Sequence, residues 1–188
     1  MDSEGSDLVA TWNVPMSKKV YKIEFEHGTT TGRRVVRIDG EVIINKNWQF
    51  KLVGKETFRL ENAVCSISID ALGIFSYEYS LEVAGKTFEK FQEQQKKSLV
   101  TWYAYIVGVP ARICLDKDSM EVWINGKKIE TAGEFVDDGT ETHFVFNNTE
   151  CYIKNCSSGK KKIGVIHKLF INGKEINEED KIDEICNS

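Results

Sequence analysis

Gly54-Lys55-Glu56-Thr57-Phe58 and Gly139-Thr140-Glu141-Thr142-His143-Phe144 are two versions of one short word, and their recurrence decides how the chain is read. Val83-Ala84-Gly85-Lys86 returns in the same way as Ile171-Asn172-Gly173-Lys174. Leu8, Trp12 and Gly40 find counterparts at Leu99, Trp102 and Gly126, displaced by 86 to 91 residues. Self-similarity at a fixed displacement marks two copies of one unit in tandem. A chain of 188 residues divides into two halves that each fall within the usual size of a folding domain. The expected division is a first domain over residues 1–90 and a second over 91–188.

Within each copy the dominant period is two. Tyr21, Ile23, Phe25 and His27 alternate with Lys22, Glu24 and Glu26, the pattern of a half-buried strand. The same alternation is read at Trp48, Phe50 and Leu52, at Cys65, Ile67 and Ile69, and from Phe75 through Tyr77, Tyr79 and Leu81 to Val83. Asp39-Gly40, Ala84-Gly85, Asn125-Gly126 and Asn172-Gly173 supply the positive φ angles of tight hairpins. Short antiparallel strands with a turn every ten residues or so predict an all-β fold of two similar β-sandwich domains. Between them, residues 88–97 lack Gly and Pro and favour helix, so a short helical linker is expected, with Phe88 and Phe91 on one face. Asn177 to Ser188 reads as an acidic tail.

Composition excludes several classes. The chain is 41% hydrophobic and 29% charged, as soluble globular proteins are. Its net charge of −4 is shared evenly by the two halves, so neither offers the basic footprint that nucleic acid requires. No apolar stretch predicts membrane insertion, and residues 1–7 lack the features of a secretory signal, so a cytoplasmic location with reduced cysteines is expected.

The stretches 22–30 and 50–58 resemble the Fas apoptotic inhibitory molecule family. So do Asn125 to Phe144, Cys151-Tyr152-Ile153-Lys154 and Ser157-Ser158-Gly159-Lys160, and the resemblance extends from about Asp7 to Ile176. It implies a cytoplasmic, non-enzymatic protein of two β-sandwich domains that protects cells from death-receptor-triggered apoptosis. It further implies links to neurite-outgrowth signalling through NF-κB and to suppression of protein aggregation under stress. Its partners would be death-receptor signalling components or misfolded client proteins. No catalytic residue, metal ligand or cofactor site is implied.

The residues themselves point the same way. His27, His143 and His167 are the chain's histidines, and aligning the copies sets His167 at an inward position equivalent to Tyr79, as a hydrogen-bonded core residue. Cys151 and Cys156 are too widely spaced for a Cys-x-x-Cys metal pair. Gly28 to Arg34 lacks the Gly-Lys-Ser/Thr ending of a phosphate loop and reads as a hairpin connection. Asp137-Asp138-Gly139 lacks the spaced acidic ligands of a calcium loop and reads as a turn. Ser157 to Lys162 reads as a solvated basic turn; the competing reading is a tip that steers an acidic partner.

Comparison of outward positions gives the sharper expectation. Where the first copy has Arg37, Glu78 and Glu82, the second has Trp123, Ile166 and Phe170. Large apolar side chains left in water forgo about 1.5–3 kcal/mol each, so these three predict a covering surface. The cover is either within the chain or supplied by self-association or a client protein. The competing expectation is a small-ligand-binding module, or an enzyme, using a cleft between the domains.

Overall fold

The computed structural model describes residues 7–74, 76–159 and 164–176. It contains four antiparallel sheets and one short helix, an all-β fold in two units joined by that helix. One unit comprises residues up to Met16 and Val20–Lys96; the other comprises Ser17–Lys19 and the chain from Lys97.

The first unit begins with β1 (Leu8–Pro15), β2 (Val20–His27), β3 (Arg34–Ile38) and β4 (Glu41–Lys46), hydrogen-bonded in that order. Its second sheet is β5 (Gly54–Leu60), β6 (Ala63–Ala71), β7 (Tyr77–Val83) and the two-residue β8 (Lys86–Thr87). Val14, Ile23, Phe25 and Val36 from the first sheet share one core with Phe58, Leu60, Cys65, Ile67, Ile69, Leu81 and Val83 from the second. Two sheets closing on one apolar layer make a sandwich. Helix α1 (Phe88–Ser98) follows, burying Phe91 in that core with Phe88 packed beside it.

The second unit runs β9 (Leu99–Ile106), β10 (Val109–Asp116), β11 (Glu121–Ile124) and β12 (Lys127–Ile129) in one sheet. The facing sheet is β13 (Ala132–Val136), β14 (Gly139–Phe146), β15 (Thr149–Ser157), β16 (Val165–Ile171) and β17 (Lys174–Ile176). Trp102, Ile113, Leu115, Val122 and Ile124 meet Phe144, Cys151, Ile153 and Leu169 across the layer.

Equivalent pairings occur in both units. Trp12 faces Ile23, which faces Ile38; Trp102 faces Ile113, which faces Ile124. Phe58 faces Cys65, which faces Val83; Phe144 faces Cys151, which faces Ile171. The hairpins agree in detail. Asp39 and Asn125 both adopt positive φ, and each carboxylate or amide oxygen accepts a 2.8 Å hydrogen bond from the backbone N–H of Lys22 or Arg112. Short polar side chains tolerate this left-handed conformation because they bond locally.

One stretch differs from the sequence expectation, and three fall outside the description. Trp48, Phe50 and Leu52 lie in a loop between β4 and β5, not in a strand. Its backbone is held instead by Arg34, whose Nη2 donates to the carbonyls of Lys51 and Val53 at 2.7 and 3.0 Å. The Gln49 N–H also donates to the Thr31 carbonyl at 3.0 Å. These partners satisfy polar groups that a strand would have paired in a ladder. Phe75, the lysines of the basic turn at 160–162 and the tail 177–188 lie outside the described residues.

Candidate interaction surface

Two places concentrate polar chemistry. In the first unit the inward side of β5 carries Glu56, a charged residue where a sandwich expects an apolar one. Arg34, at the start of β3, donates to its Oε1 at 2.9 Å, and Lys46 reaches both oxygens at 3.0 and 2.8 Å. Nearby His27 is buried at the end of β2, its Nδ1 2.9 Å from the Tyr79 hydroxyl. Tyr77 packs edge-on against the imidazole, the ring centroids 5.1 Å apart. Burial lowers the His27 pKa, and the Arg34 charge lowers it further. The neutral imidazole is therefore the stable form. This cluster closes one end of the core, with its charged groups paired to one another.

The second place is the outer face of the five-stranded sheet. Alternation directs Phe144, Cys151, Ile153 and Leu169 inward. Their neighbours His143, Tyr152 and Phe170 therefore turn outward, and the strand register sets these three side by side across β14, β15 and β16. Tyr152 and Phe170 stack at 4.7 Å with ring planes 6° apart; His143 lies 5.3 Å from Tyr152. The His143 Nε2 is 3.1 Å from a Glu141 carboxylate oxygen and 3.7 Å from one of Glu134. Lys168 on the same face pairs with Glu175 at 3.0 Å. The result is an apolar row bordered by charge. A cleft of about 880 Å³ adjoins it, lined by residues that include Ile129, Thr131, Ala132, His143 and Tyr152.

The structure divides the residues that the outward comparison selected. Ile166 and Phe170 share the outer face of β16 with Lys168 between them. Trp123 lies on β11, in the other sheet, outward of the core residues Val122 and Ile124. The three do not form one patch. All are half-buried, and the Lys18 ammonium lies 5.9 Å from the Trp123 ring centroid. Tyr152 and His143 complete the aromatic row; Tyr152 stands where the first unit has Ser66, beside Phe170 as Ser66 is beside Glu82.

The inward placement expected of His167 takes the form of a half-buried ring whose Nδ1 is 2.6 Å from the Asn155 side-chain oxygen. Burial lowers its pKa, with Lys117 adding to the effect. Cys65 and Cys151 are buried, and loss of hydration raises each thiol to about 11. Such thiols stay protonated and unreactive near neutrality. Among the described residues no three His, Cys, Asp or Glu side chains gather as metal ligands would. No helix among them is long and apolar enough to cross a membrane.

Comparison with known proteins places this architecture. The model of the Fas apoptotic inhibitory molecule (FAIM1) family matches residues 8–179. The Fas apoptotic inhibitory molecule 1 of Homo sapiens is 56% identical over 175 residues, 92% of this chain and 98% of the human protein. That of Bos taurus is 54% identical over 92% of this chain and 87% of its own length. The mouse protein is also 54% identical, over 92% and 98% respectively. The match spans both sandwiches and the helix between them, and the chain belongs to the Fas apoptotic inhibitory molecule family.

Proposed function

We propose that this chain restrains Fas-triggered apoptosis as a cytoplasmic, non-enzymatic interaction protein, and that it acts through the outer face of the five-stranded sheet. The relatives' shared name supports the biological role, and their identity extends over nearly their whole length. The stacked Tyr152 and Phe170 rings, with Ile166 on the same face, carry the mechanism. Aromatic side chains bordered by charged groups are what protein interfaces favour at their centres. The same face would hold exposed apolar segments of client proteins and so limit their aggregation under stress.

The test is protection of cultured cells exposed to Fas ligand, read as caspase activation. Cells expressing the chain should activate caspases less than controls, and a Tyr152→Ser/Phe170→Glu variant present at equal level should lose that protection. Equal protection by the variant would remove the outer face from the mechanism. Absence of protection by the unaltered chain would remove the role itself.

A further inference from the structure

We propose that strand β13 is a docking edge for an extended basic segment of a partner protein, which adds to the five-stranded sheet as a further strand. The inference rests on the reading of the chain as an interaction protein and assigns it a second, chemically distinct contact.

An outermost strand has one row of N–H and C=O groups with no strand beside it, and proteins ordinarily blunt such edges with brevity, lysine or proline. Among the described residues, β5, β8, β12 and β17 follow that rule. β8, β12 and β17 have only two or three residues, and β5 carries Lys55 and Arg59 on its exposed face. β13, Ala132-Gly133-Glu134-Phe135-Val136, has five residues, carries neither Lys, Arg nor Pro, and is exposed from Ala132 to Phe135.

Phe135 gives the edge its apolar anchor. It pairs with Thr140 and so shares the alternation of Thr142 and Phe144, the core-facing residues of β14. Yet it is 90% exposed. An added strand would lay an apolar side chain against that ring, as cross-strand neighbours do. The Ala132 end of β13 opens on the 880 Å³ cleft, leaving room there for a large side chain of the incoming segment.

Charge selects the occupant. Between Ile129 and His143 the sequence places Glu130, Glu134, Asp137, Asp138 and Glu141 and no lysine or arginine. Asp138 is paired with Lys154 at 2.8 Å, and Glu141 with Glu134 flanks His143; Glu134 itself stands on the free strand. A second copy docking β13 against β13 would bring two such acidic segments together, which like-charge repulsion opposes. A strand alternating lysine or arginine with apolar residues meets complementary charge and pairs by main-chain hydrogen bonds.

The test uses the full chain and a fluorescein-labelled, end-blocked decapeptide alternating Lys and Val. Two comparators are the same peptide with Glu for Lys and the Lys-Val peptide with N-methylated backbone amides. The Lys-Val peptide should bind at least tenfold more tightly than either. Phe135→Ser and Glu134→Lys should each weaken it fivefold or more with the circular dichroism spectrum unchanged, and amide NMR shifts should centre on residues 130–143. Equal binding of the N-methylated peptide would show charge attraction without strand addition and overturn the proposal. So would equal binding of the Glu-Val peptide, shifts centred elsewhere, or no binding at all. Each of these outcomes would leave the caspase result above standing.

Discussion

Arg34 and Glu56 form a buried ion pair, Nη1 to Oε1 at 2.9 Å, with side chains only 5% and 4% exposed. The pair joins β3 of one sheet to β5 of the other in the first unit, and the same guanidinium holds the carbonyls of Lys51 and Val53. A charge is thereby spent on organising a loop.

Removal of the carboxylate from this arrangement leaves a buried guanidinium without its counter-ion. Breaking one partner of such a pair costs about 3–5 kcal/mol. Glu56→Ala is expected to destabilise the first unit by that order, while Arg34→Met/Glu56→Leu should recover part of the loss. Hydrogen exchange of peptides from residues 20–83, followed against denaturant, separates this unit from the second. Equal stability of Glu56→Ala and the unaltered chain would mean that water reaches the Arg34 guanidinium and solvates its charge.

Ala84 occupies a position that suits another residue. Its φ is +51°, and in the matching hairpin of the second unit Asn172 sits at +48°. Both turns close with equivalent bonds, Ala84 N–H to the Val64 carbonyl at 2.9 Å and Asn172 N–H to that of Glu150 at 3.0 Å. Left-handed backbone costs an ordinary L-residue about 1–2 kcal/mol, less for Asn and little for Gly. Ala84→Gly is therefore expected to raise the urea midpoint of the first unit by about 1 kcal/mol equivalent, and Asn172→Ala to lower that of the second.

Much of this fold is legible in the sequence because its signals are local. The Tyr21–His27 alternation, the Asx-Gly hairpins and the unbroken helical stretch after Thr87 each act within a few residues. What escaped was tertiary. Trp48, Phe50 and Leu52 alternate like a strand, and only the approach of Arg34 from another element gives their backbone different partners. Outward parity at Trp123 and Phe170 is readable from the pattern, but which of two sheets carries each is not. β13 has no period of its own, and the Asp137-Asp138-Gly139 turn was its only sequence sign.

The buried cysteines make a chemical prediction. Cys65 and Cys151, facing Phe58 and Phe144 in equivalent registers, have thiols raised to about 11 by burial. Thiolate is the reactive form, so both should resist iodoacetamide at pH 8 in the folded chain and react on unfolding. Mass spectrometry of tryptic peptides after timed labelling gives the order. Rapid modification of either residue under native conditions would show that its strand opens readily.

Acid should weaken the first unit before its carboxylates titrate. His27 has a pKa lowered by burial and by Arg34, from an ordinary value of 6.5. As pH falls through 6.5 the unfolded chain takes up the proton first, while the folded chain keeps a neutral ring beside Tyr79 and Tyr77. Unfolding then binds protons, so stability is fully present above 6.5 and declines below it. His167, also lowered by burial, acts in the same sense on the second unit. Between pH 7.5 and 5.5 the urea midpoints of both units are expected to fall, and His27→Gln should flatten the dependence of the first unit alone. A midpoint that rises on acidification would require the imidazolium to be the favoured folded form, with a counter-ion that the Arg34 side of the cluster does not offer.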